Sequence, residues 1–285
     1  MPLSSEIRTA AIFGFGYMGG SIALDLLDLG VQVSAYDIGD TLGGLAESER
    51  FQEVDISSTP AHAATADVVV LAAPIQVNLR ILAELAPDLI NSRLVIDVGS
   101  TKRTIVAAAG SLGIGERFVG CHPLCGSALS GWNHSRPSLF RDRRVYICPT
   151  AESVKPAAGI VTTFWRSLGA TVERIDAEEH DRLLALTSHL PQVVSTLLGT
   201  TLDTSGISRA RLGPGGARMT ELAQSSPDVW APILLDNMDN VGDALDAFSD
   251  HLRQLRAELT KKNEQEIRRT FDNAGDWARS GERGD

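Results

Sequence analysis

A glycine-rich turn near the N-terminus constrains the fold of this chain more than any other feature. Gly14, Gly16 and Gly19 directly follow the apolar run TAAIF, and a helical pattern begins there and runs to about Leu29. Glycines at this spacing allow a tight turn and the close approach of a pyrophosphate, which rests on the helix N-terminus. A strand before the turn and a helix after it predict a dinucleotide-binding βαβ unit.

The second strand of this unit ends in a carboxylate. Asp37 follows the apolar run 31–36, and no Lys or Arg stands in the three residues after it. A carboxylate there accepts hydrogen bonds from ribose hydroxyls and repels a ribose phosphate. We therefore expect NAD as the cofactor rather than NADP. The expected contacts of NAD include Phe15, Tyr17 and Met18 in the turn, and Ala73 and Pro74 after the third strand.

The first 176 residues alternate strand-like and helix-like segments. Seven apolar runs stand out, namely TAAIFGFG, VQVSAYD, ADVVVLAAP, RLVIDVG, RFVGCHP, RRVYICP and ATVERID. Such alternation is typical of a largely parallel sheet wrapped by helices. After Asp176 the pattern is helical. The predicted fold is thus an α/β Rossmann-like N-terminal domain over residues 1–176, followed by an all-α helical C-terminal domain over residues 177–285.

Charge and hydropathy argue against nucleic-acid and membrane partners. The 285 residues carry 26 Lys plus Arg against 36 Asp plus Glu, a net charge of −10 that repels a phosphate backbone. The stretch Leu183–Leu202 has no charged residue, yet its His, Pro, Gln, Thr and Ser favour a helix buried in protein over a bilayer span. The N-terminus has no signal-peptide pattern, so we expect a cytoplasmic protein.

The three cysteines indicate neither a disulfide framework nor a metal site. Cys121, Cys125 and Cys148 are few and odd in number, so they are expected to be reduced. Cys121, His122 and Cys125 lack a fourth ligand at a finger-like spacing. We expect no metal.

One long helix of the C-terminal half carries a heptad-like apolar seam. Its residues are spaced alternately by three and four positions and are Met238, Val241, Leu245, Phe248, Leu252, Leu255 and Leu259. Such a seam needs a covering helix. Packing within the same chain and a homodimer through the helical domain are both open at this point.

Two polar side chains follow neighbouring strands of the predicted sheet. Ser100 comes after the run 94–98, and His122 comes after the run 117–120. Carboxyl ends of parallel strands form the edge where such sheets bind ligands. Oxidation of an alcohol needs a base for the hydroxyl proton, and histidine is the natural base near neutral pH. His122 is therefore the predicted general base.

At this point the sequence resembles a known family over nearly its whole length, the prephenate/arogenate (cyclohexadienyl) dehydrogenases of tyrosine biosynthesis. The matching segments are GFGYMGGSIALDL, VIDVGSTK, FVGCHPLCGSALSG, EEHDRLLALTSHLP and SSPDVWAPILLDN. The resemblance implies NAD-dependent oxidative decarboxylation of a small cyclohexadienyl substrate to an aromatic product, either 4-hydroxyphenylpyruvate or tyrosine. It also implies a helical domain that dimerises.

The resemblance assigns roles residue by residue. His122 would act on the ring hydroxyl, and Ser100 would orient it. The other matched positions, in or near the active site of relatives, are Ser127, His180, His189 and Trp230. For His189 and Trp230 a buried structural role is an alternative, and for His180 a role at the domain interface.

The sequence departs from the family at anchors for an anionic substrate. Glu221 stands where relatives carry an arginine after threonine, and Gln192 stands where many carry a histidine. Ala128 and Leu129 replace a charged or polar pair.

Arg218, one helical turn before Glu221, is a candidate replacement for the missing carboxylate clamp. Alternatively Glu221 receives an ammonium group of the substrate, or it pairs with a neighbouring arginine.

Two other functions stay open beside the main prediction. One is dehydrogenation of an amino analogue, 4-amino-4-deoxyprephenate, in specialised metabolism. The other is a catalytically silent NAD-binding regulatory protein. A β-hydroxyacid dehydrogenase is disfavoured, because those enzymes use a lysine of the second domain and this chain has no lysine from 156 to 260.

Overall fold

The computed structural model describes residues 7–37, 41–56, 59–125, 131–153 and 156–280. By packing, the chain divides into two compact units, Met1–Asn237 and Met238–Asp285. The strands are β1 (Thr9–Phe13), β2 (Gln32–Tyr36), β3 (Val68–Leu71), β4 (Leu94–Asp97), β5 (Phe118–Pro123), β6 (Arg144–Pro149) and β7 (Thr171–Arg174). The helices of the first unit are α1 (Tyr17–Asp28), α2 (Thr41–Ala46), α3 (Pro60–Ala63), α4 (Ile75–Leu89), α5 (Arg103–Ser111), α6 (Pro156–Ser167), α7 (Ala177–Leu184), α8 (Leu190–Thr204), α9 (Pro214–Met219) and α10 (Pro227–Asp236). The second unit contains α11 (Met238–Lys261) and α12 (Glu264–Ser280).

The seven strands form one sheet in the order β2-β1-β3-β4-β5-β6-β7. Strands β1 to β5 pair in parallel, β6 pairs antiparallel to β5, and β7 pairs parallel to β6. Every residue of β3 and β4 is buried, as expected for central strands covered by helices on both faces. Each of the seven predicted runs contains a strand, and the predicted α/β Rossmann-like fold with a helical C-terminal region is confirmed.

The turn after β1 lies against the turn after β3. Gly14 has a φ of +92°, in the left-handed region that favours glycine. A Cβ on Gly14 would overlap the backbone nitrogen of Ala73. The close approach of the two turns therefore requires glycine at this position, and it forms the crevice at the carboxyl ends of β1 and β3.

The helical segment that follows the sheet belongs to the first unit. Asp176 caps α7 by accepting the backbone N–H of Glu178 at 2.9 Å and of Glu179 at 3.3 Å. A π-helical turn, Ala185–His189, connects α7 to α8. Such wide turns are frequent at functional sites.

The uncharged stretch Leu183–Leu202 is less buried within one chain than the sequence led us to expect. Leu186 and Leu197 each expose more than half of their side chains. Half-buried and exposed positions outnumber buried ones along α8, because a single face of this helix packs against its neighbours. In the part of the chain that the structure describes, no helix combines the length and apolarity needed to cross a membrane.

The predicted seam lies on α11, the longest helix. Met238 is 70% exposed, and Leu252 and Leu259 are 53% and 58% exposed. Residues Lys262 and Asn263 join α11 to α12, and Asn263 Nδ2 donates to Glu258 Oε2 at 2.8 Å. Part of the seam is therefore uncovered within one chain.

The turn geometry predicts unequal costs for two glycine substitutions. Gly14 and Gly30 both have positive φ, but a Cβ on Gly30 would meet open space. Gly30→Ala should cost about 1 kcal/mol of unfolding free energy. Gly14→Ala should cost about 1–3 kcal/mol more, because the added methyl overlaps backbone. Urea unfolding of both variants measures the difference, and equal losses would contradict the close approach.

Candidate active site

A cavity of about 830 Å³ opens at the carboxyl ends of the parallel strands. One side of its wall comes from the turns after β1 and β3, and the other from β5, β6 and the helical segment. The first side has the features of a nucleotide site, and the second side carries ionisable side chains.

The first side of the cavity fits a dinucleotide. Gly16, Tyr17, Met18, Ala73 and Pro74 line it. A Cβ on Gly16 would point into open space, so the lack of a side chain leaves room at the N-terminus of α1. The orphan backbone N–H groups of that helix end suit a pyrophosphate.

Three further predicted cofactor residues support the turn from behind. Asp37 accepts the backbone N–H of Phe15 at 2.6 Å. The Phe15 ring is 1% exposed and packs edge-on against Phe51, so only its backbone is available to a ligand. A Cβ on Gly19 would overlap the carbonyl oxygen of Gly14, so this position also requires glycine.

Two histidines and an aspartate form a chain of hydrogen bonds behind the second side. The Nδ1 atom of His122, on β5, lies 2.9 Å from Nε2 of His180, on α7. The Nδ1 atom of His180 lies 2.8 Å from Oδ1 of Asp181. His122 reaches the cavity wall, whereas His180 and Asp181 are fully buried.

The carboxylate of Asp181 sits at the N-terminus of α5. It accepts the backbone N–H of Lys102 at 2.8 Å and that of Arg103 at 2.9 Å. Burial acts to raise the pKa of Asp181, but the hydrogen bond from His180 and the two backbone donors outweigh it and lower the pKa. Asp181 is therefore ionised and can only accept hydrogen bonds.

An ionised Asp181 determines the tautomers of both histidines. His180 must donate through Nδ1, which leaves its Nε2 as an acceptor. His122 then donates through Nδ1, and its Nε2 keeps a lone pair. Burial, with a smaller contribution from the charge of Lys102, lowers the pKa of His122 well below 6.5. The imidazole is neutral near pH 7 and can act as a base.

His180, rather than the predicted partner Ser100, holds the ring of His122. Ser100 lines the same cavity. Among the described residues, no hydrogen bond joins it to His122, whose Nδ1 atom is paired with His180 on α7. A role for Ser100 in substrate or cofactor binding stays a prediction.

A buried ion pair fixes the strand ends next to this site. Lys102 and Asp97 are both fully buried and in contact. Asp97 also accepts the backbone N–H of Gly99 at 2.8 Å and of Cys121 at 3.1 Å. The end of β4 is thus tied to the residue before His122.

Only some of the predicted substrate residues lie on the described cavity wall. Trp230 lines the cavity. His189 lies behind it, 1% exposed, with its ring 6.0 Å from the Trp230 ring and its Nδ1 3.2 Å from Asn237 Nδ2. Gln192 is also buried and donates to the carbonyl of Leu222 at 2.7 Å.

The remaining predicted anchors do not reach the cavity in one chain. Arg218 and Glu221 are exposed and are absent from the described cavity wall. Ser127, together with Ala128 and Leu129, lies outside the described residues.

Sequence reasoning missed three ionisable side chains on the cavity wall, and it missed the hydrogen bonds that His180 and Asp181 make. Arg144, Tyr146 and Asp228 line the cavity. The strand pattern of RRVYICP marks alternate positions of β6, but not which strand it pairs with. The adjacent His180 and Asp181 in EEHD were visible, yet their contact with α5 depends on the fold.

Burial of His189 predicts a pH dependence of stability. Burial lowers the pKa of His189 from its ordinary 6.5 to about 4. The unfolded chain therefore takes up this proton at a higher pH than the folded chain, so stability falls as the pH drops from 6.5 to 4. His189 should account for about 3 kcal/mol of that loss. Urea unfolding of His189→Gln should show a flatter pH dependence than wild type, with the exposed His251→Gln as control. Parallel curves would contradict this.

Comparisons with known proteins identify the family of the chain. Residues 22–174 match the family model of the prephenate dehydrogenase nucleotide-binding domain, and residues 176–273 match that of the prephenate dehydrogenase dimerization domain. The cyclohexadienyl dehydrogenase of Zymomonas mobilis is 29% identical over 260 residues, covering 89% of each chain. The prephenate dehydrogenase of Bacillus subtilis is 30% identical over 277 residues, covering 94% of this chain and 75% of the relative.

Among solved structures, the prephenate dehydrogenase of Aquifex aeolicus in complex with hydroxyphenyl propionate and NAD⁺ superposes with a TM-score of 0.86. It is 27% identical, and the match covers 96% of this chain and 98% of that one. The chain therefore belongs to the prephenate dehydrogenase family and is an NAD-dependent oxidoreductase.

Proposed function

We propose that the chain oxidatively decarboxylates a cyclohexadienyl substrate, with His122 as the general base. The observation that carries this proposal is the hydrogen-bond chain from Asp181 through His180 to His122. It leaves the lone pair of His122 Nε2 available in a cavity that also fits a dinucleotide. The family membership supports the reaction type.

The residues present suit the chemistry of such a substrate. His122 takes the proton of the ring hydroxyl while hydride leaves the ring carbon that bears this hydroxyl. NAD, which the turn after β1 would hold, would supply the hydride acceptor. The bond from the opposite ring carbon to its carboxylate breaks, carbon dioxide leaves, and the electron pair completes the aromatic ring. The proton on His122 returns to the oxygen, so the product is a phenol. Positioning and one base are sufficient.

Prephenate and arogenate both fit this description, since they differ in the side chain and share the reacting ring. The hypothesis that Glu221 binds an ammonium group gains no support from its exposed position. The Bacillus subtilis relative named prephenate dehydrogenase favours the keto acid. We propose prephenate as the first substrate to test, followed by arogenate and then the ring-amino analogue.

Replacement of His122 tests the function directly. His122→Ala should lower turnover by about two to four orders of magnitude and leave NAD affinity nearly unchanged. Purified protein is offered NAD with prephenate and arogenate separately, and absorbance of the reduced nicotinamide and carbon dioxide release are followed. The exposed His62→Ala is the matched control.

An unchanged rate in His122→Ala would remove this residue from the mechanism. NAD binding by the wild type without turnover of any of the three substrates would favour a silent regulatory protein.

We also propose a homodimer formed through the helical domain. The match of residues 176–273 to a dimerization-domain model supports it, as do the exposed seam residues Met238, Leu252 and Leu259. Apolar side chains at a heptad spacing are typical of a helix that packs against another helix. The domain boundary at 176/177 and the cytoplasmic location stay predictions.

A charge in the seam should weaken the dimer. Leu252→Arg should shift the molar mass toward that of the 30.5 kDa chain on dilution, because an arginine would be buried without a partner. Ala257→Arg adds the same charge at an exposed position off the seam and should leave the dimer intact. Light scattering after size-exclusion chromatography measures both, and identical masses for the two variants would exclude the seam as the interface.

A further inference from the structure

The substrate proposed above carries a carboxylate on a side chain opposite the reacting hydroxyl, and this anion needs a cationic partner. The two positions expected from the sequence, Arg218 and Glu221, do not line the described cavity. Among the described residues that do line it, Arg144 is the sole lysine or arginine. We propose that Arg144 binds the substrate's side-chain carboxylate. This inference rests on the proposed function.

Strand register places Arg144 on the same face of the sheet as the base. His122 pairs directly with Tyr146 across the antiparallel β5–β6 ladder, so their side chains lie on one face. Arg144 precedes Tyr146 by two positions and shares that face. The backbone N–H of Leu124 donates to the Arg144 carbonyl at 2.8 Å, which continues the ladder to this residue.

The spacing agrees with the size of the substrate. Two positions along a strand correspond to about 7 Å. Summed bond lengths separate the hydroxyl oxygen of a cyclohexadienyl ring from the first atom of the opposite substituent by about 6 Å. A ring held with its hydroxyl at His122 therefore directs that substituent toward the Arg144 end of β6.

The guanidinium is positioned by its contacts. It lies over the Tyr146 ring at 6.0 Å from the centroid, and Nη1 is 3.4 Å from the Tyr146 hydroxyl. Its Nε lies 3.3 Å from Oε2 of Glu173. Both partners of this ion pair are about half exposed, and such pairs stabilise by about 0–1 kcal/mol. A planar guanidinium matches a carboxylate bidentately, so the substrate's carboxylate can take the place of Glu173.

The chemistry favours the side-chain carboxylate over the ring carboxylate. The ring carboxylate leaves as neutral carbon dioxide, so a cation bound to it would stabilise the ground state more than the transition state. The side-chain carboxylate keeps its charge through the reaction. Arg144 can therefore bind substrate and product with similar strength, which lowers KM and leaves kcat nearly unchanged.

The test compares Arg144→Gln with Arg143→Gln, the same charge removal at the adjacent exposed position. Arg144→Gln should raise KM for the turned-over substrate and the inhibition constant of its aromatic product, each about 10- to 100-fold. The kcat should change less than about threefold, and NAD affinity should not change. Arg144→Lys should recover part of the affinity, because it keeps the charge and loses the bidentate geometry. Arg143→Gln should behave as wild type.

Wild-type values of KM and product inhibition in Arg144→Gln would overturn the proposal. A raised KM with unchanged product inhibition would also overturn it, because the ring carboxylate would then be the group bound.

Calorimetric titration of 4-hydroxyphenylpyruvate into the NAD-loaded protein needs no turnover. It therefore tests Arg144 even if the wild type turns over neither prephenate nor arogenate, which would count against the proposed function alone.

Discussion

The carboxylate of Asp181 is the group on which the geometry of the site depends. It joins the start of α5 to the helix α7 that carries it and, through His180, to His122 on β5. The hydrogen bond from His180 and two backbone donors keep it charged, and its charge determines which nitrogen of each histidine carries a proton. The start of α5, acting through Asp181 and His180, thus determines which nitrogen of His122 keeps a lone pair.

The ion pair of Asp97 and Lys102 supports the same region from within the sheet. Burying two charges is costly, and the cost is offset only when further hydrogen bonds satisfy them. Asp97 also accepts backbone donors at Gly99 and Cys121, so the pair fixes the ends of β4 and β5. Lys102 belongs to both systems, because its own backbone N–H binds Asp181. The base and the strand that carries it are therefore held by one connected polar network.

The sequence predicted the sheet and the nucleotide turn well, because both follow from local patterns. The apolar runs and the glycines at 14, 16 and 19 need no tertiary information. His122 was predicted because it stands at the end of an apolar run that should reach the ligand-binding edge of the sheet. The contact of His180 with His122 and the place of Arg144 on the cavity wall depend on which elements pack together. Local sequence patterns do not contain that information. Arg218 and Glu221 were expected to bind substrate because of their positions in the family motif, but both side chains are exposed in the single chain.

Because β6 runs antiparallel to β5, its side of the site is built differently from the cofactor side. In β1, β3 and β4 the residues that line the cavity follow the strand, so they lie in loops whose length and backbone shape are part of the function. In β6 they are the first residues of the strand itself, Arg144 and Tyr146. Exchanging a side chain there changes no loop. A point substitution at Arg144 or Tyr146 can therefore change the cavity wall without altering the loops on the cofactor side.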